Sequence, residues 1–364
     1  MYKAYKFRLY PNKAQEEFFM KTFGTVRFIY NKMLADKIAY YEETKLTLNN
    51  TPAKYKIEFP WLKEVDSLAL ANAQLNLQAA YRNFFKNPKA GFPNFKSKKK
   101  SKYSYTTNNI KNFSAFKFVD NKINLPKVGF VRVKMHRPIE EHAIIKSATI
   151  TKTSTGKYFV SVLVEFEHIV PEIVLDTSRA LGLDYSSPSF YVDSQNRKAE
   201  YPRYFREMED KLAREQRKLS KMQRGSNNYQ KQKIKVAKIH EKITNQRKDF
   251  LHKLSYQLAN DYDIICVEDL NMQNISQCLT LGKSTMDNGF GMFRDFLDYK
   301  LSYQGKTLVR IDKWFPSSKT CRFCGSVNSN LTLKDRNWRC DCGQEIDRDH
   351  NAAINILNQG ILLI

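Results

Sequence analysis

Two close pairs of cysteines stand near the carboxyl end of the sequence. Cys321 and Cys324 form a C-x2-C pair, and Cys340 and Cys342 form a tighter C-x-C pair after a polar connection without a long apolar run. In a reducing compartment, four thiolates with such spacing are typical of one zinc site rather than two disulfides. We therefore predict one structural zinc ion, with free or redox-active thiols as the alternative.

The other two cysteines have no partner near them in the sequence. Cys266 lies in the apolar run "IICVE", and Cys278 lies in a polar stretch. We expect both to be ordinary thiols.

Three acidic residues occupy comparable positions in the predicted elements. Asp184 ends the apolar strand "ALGLD", Glu268 ends the strand in "DIICVEDL", and Asp349 opens a helix directly after the cysteines. A single acid at such a position is often a cap or a turn residue, but ligands and chemistry concentrate at strand ends of an α/β sheet. Converging carboxylates repel one another unless cations such as Mg²⁺ lie between them. Two such ions, ~3.5–4 Å apart, can catalyse phosphodiester hydrolysis, so we predict a nuclease site.

The elements that would position these residues follow from periodicity. Alternation in "YKAYKFRLY" predicts a half-buried first strand, and Asn12 with Gln15 resembles a capping box that begins a long helix. A second helix is predicted from Ser67 to Phe85, and four β patterns follow, the last two joined by a turn at Thr155-Gly156. With the first strand, these patterns predict a small barrel into which the helices are inserted.

The second half of the sequence changes to an α/β pattern. The strand ending on Asp184 has a hairpin partner in "SFYVDS", and two charged helices follow, broken at residues 224–228. The second of them carries an apolar stripe, which we interpret as core packing. The strand "DIICVEDL", the helix "FRDFLDYKLSYQG" and the strand "KTLVRID" precede the cysteines, and "NAAINIL" closes the chain as a helix.

The charge balance indicates a polyanionic partner. Sixty-one Lys and Arg against 37 Asp and Glu give a net charge of +24, spread along the chain. Nucleic acid is the first candidate, with an anionic membrane surface or a merely soluble basic protein as alternatives. No apolar run approaches the ~20 residues needed to span a bilayer, and the start lacks the apolar segment of a signal peptide, so we expect an intracellular protein.

Lysines and aromatic residues are interleaved in "KNPKAGFPNFKSKKKSKYSYTTNN". Such a charge run is often only a solvated surface, but this mixture suits phosphate contacts combined with base stacking. The candidate nucleic-acid-binding residues are Lys96, Lys98, Lys99, Lys100, Lys102 and Tyr103.

The order of motifs resembles the TnpB family of transposon-encoded, RNA-guided nucleases, which is similar to the type V CRISPR effectors. The resemblance is carried by "GLD", "VEDL", "SSKTCRFCG" and "DRDHNAAINIL", and it extends to "YKFRLYPNKAQ", "GTVRFIYNKML", "FFKNPKAGFPNFKSKKK" and "NQRKDFLHKLSYQLA". It covers nearly the whole chain.

The resemblance implies an α+β multidomain fold. A wedge β-barrel, similar to oligonucleotide-binding barrels, would comprise residues 1–12 and 113–178, with a helical recognition domain and basic linker inserted at 13–112. A RuvC-like nuclease domain of the ribonuclease H-like fold would comprise 179–316 and 346–364. A zinc ribbon that contacts the target nucleic acid would occupy 317–345.

Carried over by position, the resemblance implies RuvC carboxylates at Asp184, Glu268 and Asp349, with Asp347 as the competitor of Asp349. It implies zinc ligands at Cys321, Cys324, Cys340 and Cys342. Two features depart from the family pattern. One is the C-x-C pair. The other is "YSSPSF" after Asp184, because many members have a glycine two residues after this aspartate.

The function implied is an RNA-guided DNA endonuclease with structural Zn²⁺ and two catalytic Mg²⁺. Its partners would be a guide RNA, double-stranded target DNA next to a short recognised motif, the RNA–DNA heteroduplex, and a separately encoded transposase. We expect a cytoplasmic, nucleoid-associated bacterial protein. A nuclease-inactive RNA-guided repressor and a DNA transposase remain as alternatives.

Overall fold

The computed structural model describes residues 1–99, 102–110, 116–278, 287–332 and 334–364, apart from the side chains at 88, 273, 276 and 278. Lys100 and the side chain of Cys278 therefore lie outside the described residues. The chain divides into two compact units, Met1–His168 and Ile169–Ile364.

The first unit is built on an antiparallel seven-stranded sheet with the order β2-β6-β7-β1-β5-β4-β3. Its strands are β1 Tyr2–Tyr10, β2 Tyr103–Asn108, β3 Phe118–Val119, β4 Lys122–Leu125, β5 Gly129–Lys134, β6 Ile144–Lys152 and β7 Tyr158–Glu165. The helices of this unit are α1 Lys13–Thr44, α2 Pro52–Glu58 and α3 Ser67–Lys86, with short 3-10 turns at Pro60–Glu64 and Pro88–Ala90.

The local predictions for this unit agree with the structure. Tyr5, Phe7 and Leu9 are buried on one face of β1, as the alternation predicts. The capping box of α1 is present, because the Asn12 side chain accepts from the Gln15 backbone N–H and the Gln15 side chain accepts from the Asn12 N–H. α1 and α3 share an apolar core formed by residues such as Met33, Leu34, Leu70 and Leu77.

Two features of the sheet differ from the sequence prediction. Among the described residues, no backbone ladder joins the edge strands β2 and β3, so the sheet is open where a closed barrel was expected. β3 contributes only two residues, which is too short an edge to close against β2. In addition, the stretch interpreted as a basic linker ends in a strand: Tyr103–Asn108 pairs with Ser147–Lys152 of β6.

The second unit contains a five-stranded sheet with the order β10-β9-β8-β11-β12, in which β8, β11 and β12 are parallel. Its strands are β8 Ala180–Ser186, β9 Phe190–Asp193, β10 Lys198–Ala199, β11 Ile264–Glu268 and β12 Thr307–Ile311, and a separate hairpin is formed by β13 Asn337–Arg339 and β14 Glu345–Asp347. The helices are α4 Tyr204–Ser220, α5 Asn227–Asp261, α6 Met272–Cys278, α7 Phe290–Tyr303 and α8 Arg348–Ile361, after a 3-10 turn at Thr177–Arg179.

Helices cover both faces of this sheet. Leu183 and Val267 point to the face on which α5 and α7 pack, and Ile264 and Cys266 point to the opposite face, against Ile356 of α8. This alternation along buried parallel strands is the side-chain period of two expected for a sheet. The apolar stripe of α5 is core, as predicted: its first half packs on α4 and its second half on the sheet.

Candidate functional site

Asp184 and Glu268 stand side by side on two parallel strands. Leu183 of β8 is in register with Val267 of β11, so the next residue of each strand, Asp184 and Glu268, reaches the same level of the sheet. β8 does not end at Asp184, as the sequence suggested, because it continues to Ser186 in a hairpin with β9. Asp184 is thus held on one side by a parallel strand and on the other by an antiparallel one.

Helix α8 brings Asp349 toward these two carboxylates. The helix lies so close to β8 that a Cβ on Gly182 would be 2.1 Å from the Ala353 backbone oxygen. It lies equally close to β11, where a Cβ on Gly360 would be 2.3 Å from the Cys266 sulfur. Only glycine permits this double contact, and the contact fixes the helix whose first turn contains Asp349.

Glu268 and Asp349 are among the charged groups that act on Asp184. The pKa of Asp184 is raised well above its usual value, first by burial and then by the negative charges of Glu268 and Asp349. Arg348 and Arg336 oppose that shift. Burial also raises the pKa of Glu268, against a hydrogen bond from Ser317.

A hard divalent cation fits this donor set. The site offers oxygen ligands whose charges are partly buried and mutually repulsive, and a cation between them would relieve both costs. Asp184, Glu268 and Asp349 are the groups that would hold such an ion, although among the described residues only the four cysteines bring three or more possible ligand atoms within 4.8 Å of one another.

Asp347 has a different role in the structure. Its side chain accepts a hydrogen bond from the His350 backbone N–H at 2.8 Å and caps the first turn of α8. Asp349, in contrast, is one of the charges that raise the pKa of Asp184. This difference favours Asp349 over Asp347 as the third carboxylate.

The structure reveals three neighbours of the acids that sequence reasoning missed. The Ser317 hydroxyl donates to Glu268 Oε1. Arg348 Nη2 lies 2.8 Å from Asp349 Oδ1, and Arg336 Nη1 lies 3.0 Å from Asp349 Oδ2. Ser317 belongs to the quoted motif "SSKTCRFCG", which was a usable signal, but nothing in the sequence indicates which carboxylate Arg336 contacts.

Buried amides of α8 hold the loop that contains Ser317. Asn355 Nδ2 donates to the Ser317 and Thr320 carbonyl oxygens at 2.8 and 2.7 Å, and Asn351 Nδ2 donates to the Thr320 oxygen at 2.7 Å. Both asparagines are buried on one side of the helix, four residues apart. They connect the helix of Asp349 to the start of the cysteine-containing segment.

The four predicted zinc ligands converge in space. The Sγ atoms of Cys321, Cys324, Cys340 and Cys342 all lie within 4.8 Å of one another. Two of the separations, Cys321–Cys342 at 3.8 Å and Cys324–Cys340 at 3.6 Å, are close to the roughly 3.8 Å expected for thiolates in a tetrahedron around zinc.

The cysteines of the cluster differ in pKa. Against a backbone hydrogen bond with Gln344, burial and the neighbouring cysteines raise the pKa of Cys342 to about 12. Hydrogen bonds, the first of them from the Ser326 hydroxyl, lower the pKa of the Cys324 thiol to about 6, which favours the thiolate. Cys266 differs, because burial inside β11 raises its pKa to about 12. Cys266 is a free, buried thiol outside the cluster, and the four-cysteine cluster is a site that can hold zinc.

The candidate nucleic-acid-binding residues of the first unit do not all meet. Lys96 and Lys102 line one cavity of about 310 Å³ together with Arg27, Asn72 and Asn76. Two hydrogen bonds of 2.8 Å to Asn31 fix the backbone of Lys96, whose ammonium lies 3.8 Å from the Tyr30 ring centroid.

Three other predicted contact residues are described outside the lining of that cavity, Lys98, Lys99 and Tyr103. Lys98 and Lys99 are exposed. Tyr103 is half-buried with its ring centroid 5.9 Å from that of Phe23, which leaves less of the ring available for stacking than the sequence suggested.

Hydropathy provides one further observation. Among the described residues, no helix has both the length and the apolar character required to cross a membrane.

Three family models match this chain. One described as "Probable transposase" (OrfB_IS605) matches residues 161–279, one described as "Cas12f1-like, TNB domain" matches 290–356, and one described as "Helix-turn-helix domain" matches 1–45. The TNB match contains all four clustered cysteines and Asp349. The region of the third match forms a strand and one continuous helix here, β1 and α1.

Relatives match along almost the whole length. A Streptomyces pristinaespiralis protein named "Putative RNA-guided DNA endonuclease" is 37% identical over 99% of this chain and 89% of its own length. The Escherichia coli K12 protein named "Putative RNA-guided DNA endonuclease InsQ" is 29% identical over 98% of this chain and 92% of its own.

A solved structure shares the fold. It is the protein in "Cryo-EM structure of the Cas12f1-sgRNA-target DNA complex". The superposition covers 98% of this chain and 99% of that protein, with a TM-score of 0.62 and 13% sequence identity. That similarity concerns the fold alone. The similarity to the relative at 37% identity is a similarity of sequence, and it extends along nearly the entire chain. On this similarity, the chain belongs to the TnpB family.

Proposed function

We propose that the chain is an RNA-guided DNA endonuclease with a single RuvC-type centre formed by Asp184, Glu268 and Asp349. The observation that carries the proposal is the state of Asp184, whose pKa burial and the charges of Glu268 and Asp349 raise well above the usual value. Burying carboxylates near one another is costly in folding free energy, and cations that bind between them would relieve that cost. Similarity to relatives named as RNA-guided DNA endonucleases supports the same function.

Mg²⁺, when bound, would activate a water and stabilise the leaving oxygen of a phosphodiester. The residues of the chain position the ligands for that chemistry. Asp184 and Glu268 project from adjacent strands, which limits their movement, and the Ser317 hydroxyl orients Glu268. Asp349 is fixed by the packing of α8 against Gly182 and by Arg336 and Arg348.

The first unit is proposed to bind the guide RNA and a short motif beside the target. The cavity of about 310 Å³ combines the amide of Asn76, which can read base edges, with the cations of Arg27, Lys96 and Lys102, which can contact phosphates. The charge of +24 suits a long polyanion. Base pairing of the guide would then select the sequence to be cut.

The test uses the purified protein with the RNA that co-purifies with it. In Mg²⁺ and without ATP, the complex should cut a duplex that matches the RNA, because exchange of DNA duplex for RNA–DNA heteroduplex is nearly balanced in free energy and needs no motor. Mismatches beside the recognised motif should abolish cutting. Equal cutting of matched and unmatched duplexes, or cutting after the RNA is digested, would contradict the proposal.

A further inference from the structure

Trp314 is exposed in an unusual way for its residue type. The side chain is 80% exposed, in the turn that follows β12. Tryptophan carries a large apolar area and is mostly buried in folded proteins. Apart from the Lys313 ammonium, no packing partner of the indole is seen among the described residues.

The turn that carries Trp314 is held in place. The Asp312 carboxylate accepts from the Trp314 backbone N–H at 2.6 Å, and the Asp312 carbonyl accepts from the Phe315 N–H at 3.1 Å. The Phe315 side chain packs into the core cluster that includes Ile356 of α8. The indole is therefore presented on a fixed backbone rather than on a loose loop, which reduces the entropy lost when a ligand binds to it.

Trp314 also stands close in the chain to the carboxylate site. Three residues after it, the Ser317 hydroxyl donates to Glu268. The Asp269 N–H, directly after Glu268, donates to the Ile311 carbonyl oxygen at 3.1 Å, which ties the end of β11 to the end of β12. The turn therefore begins where the strand of Glu268 ends.

A cleft begins at the same place. The lining of a cavity of about 810 Å³ includes three carboxylates and three cations, namely Asp269, Asp295, Asp312, Arg294, Arg310 and Lys313. Arg294 and Arg310 form ion pairs with Asp269 and Asp298. The Lys313 ammonium lies 4.9 Å from the Trp314 ring centroid. Lys313 lines the cleft and also lies against the Trp314 ring, so an aromatic face and a cation stand together, as contact with a base and a neighbouring phosphate would require.

We propose that Trp314 is a stacking platform for one unpaired DNA base, with Lys313 on an adjacent phosphate, and that the pair positions the strand for cutting at the carboxylate site. The proposal rests on the proposed function and deepens it. Stacking on an aromatic face tolerates every base, because each base has a π-face. That tolerance suits a nuclease whose sequence choice is made by an RNA guide. Trp314 is a positioning residue in this scheme, since it contacts the strand and not the reacting phosphate.

The experiment places 2-aminopurine, a base whose fluorescence is quenched by stacking, at successive positions of the displaced strand of a matched duplex. The duplex is bound to the protein–RNA complex in buffer that contains Ca²⁺ instead of Mg²⁺, so that the DNA is bound but not cut. At one position near the cut, we expect the native protein to quench the 2-aminopurine fluorescence. At that position the fluorescence should be at least about twofold higher with Trp314→Ala, and it should be quenched again with Trp314→Tyr. In Mg²⁺, single-turnover cutting should slow about tenfold in Trp314→Ala and stay within about threefold in Trp314→Tyr.

The matched control is Tyr256→Ala, which removes an aromatic side chain that is 61% exposed on α5 of the same unit. Cutting and emission should be unchanged in this variant. Unchanged emission at every position in Trp314→Ala would overturn the inference, and so would equally slow cutting by the Ala and Tyr variants. Loss of self-association in Trp314→Ala with unchanged emission would also overturn it, since the indole would then contact a second copy of the chain.

Failure of the proposed function has a separate signature. If the native complex neither binds nor cuts a matched duplex, the RNA-guided function is wrong. In that case a free single-stranded oligodeoxynucleotide with one 2-aminopurine decides the stacking site by itself. Quenching by the native protein but not by Trp314→Ala would support Trp314 as the stacking platform. Equal quenching by both proteins would overturn that assignment.

Discussion

Arg336 Nη1 lies 3.0 Å from Asp349 Oδ2, so a residue of the cysteine-containing segment contacts the third candidate carboxylate directly. Arg336 precedes β13, and its carbonyl oxygen also accepts from the Arg348 N–H at 2.8 Å. The segment and the first turn of α8 are therefore joined by a backbone and a side-chain interaction. A change in the cysteine cluster can reach Asp349 through this connection.

The first prediction concerns Arg336. Arg336→Ala should slow DNA cutting by up to about fivefold, because a half-exposed ion pair contributes no more than about 1 kcal/mol to the position of Asp349. Binding of RNA and target should be unchanged. The control is Arg339→Ala in β13, which removes another exposed arginine of the same hairpin. Single-turnover rates that are equal for native protein and Arg336→Ala would show that the contact does not position Asp349.

The second prediction concerns the carboxylates. Asp184→Ala, Glu268→Ala and Asp349→Ala should each lower cutting by at least about a thousandfold and leave guide and target binding nearly intact, because only cation ligation is lost. Asp210→Ala, an exposed acid of α4, is the control and should cut normally. Cutting assays in Mg²⁺ and gel-shift binding in Ca²⁺ measure the two quantities. Full activity of any of the three variants removes that residue from the site.

The third prediction is a pH dependence in the absence of divalent cations other than zinc. The folded protein raises the pKa of Asp184, so the folded state binds the proton more tightly than the unfolded state does. Its unfolding free energy should therefore fall as pH rises through the range above the ordinary Asp pKa of about 3.9.

Asp184→Asn removes that titrating group. As pH rises, the unfolding free energy of the variant should therefore increase relative to that of the native protein. Thermal unfolding at a series of pH values measures it. Millimolar Mg²⁺ should reduce the difference, because the cation stabilises the charged form. A difference that is constant from pH 4 to pH 8 would contradict the electrostatic account of the site.

The fourth prediction concerns the cysteine cluster. Cys324→Ser and Cys340→Ser should each lose about one zinc per chain by elemental analysis and lower the melting temperature, because structural zinc contributes folding free energy directly. Cutting should fall as well, through the connection to Asp349. Cys266→Ser is the control for metal content, since Cys266 lies outside the cluster, and it should keep its zinc. Native protein purified without zinc would contradict the site.

The fifth prediction concerns the contact between β8 and α8. Gly182→Ala would place a Cβ 2.1 Å from the Ala353 carbonyl oxygen and 2.8 Å from the Leu357 nitrogen, and backbone atoms cannot move aside without displacing the helix. We expect a loss of about 1–3 kcal/mol or more in unfolding free energy and a loss of cutting, because α8 carries Asp349.

Gly291→Ala is the matched control for that variant. A Cβ at Gly291 would meet the Met272 Cγ at 3.7 Å, which is an ordinary contact. Because alanine favours the helical conformation of α7, this variant should be as stable as the native protein or more so. Denaturant unfolding of both variants provides the measurement. Equal stability of the two would show that α8 tolerates displacement from β8.

The sequence by itself determined several of the elements and the identity of the chemical groups. Alternation placed Tyr5, Phe7 and Leu9 on one face, and the residue types of the capping box placed the start of α1, because such signals depend on contacts within a few residues. The spacing of the cysteines indicated one cluster for the same reason. Strand order was not accessible in this way, and the open sheet with β2 at its edge follows from pairings between residues far apart in the chain.

Only the tertiary structure decided how the acids of the site are held. The raised pKa of Asp184 depends on burial and on two charges that arrive from β11 and α8. The contact of Arg336 with Asp349 and the hydrogen bond from Ser317 to Glu268 are both products of that packing. Burial and separation between side chains set electrostatic energies, and neither quantity is defined until distant segments of the chain are brought together.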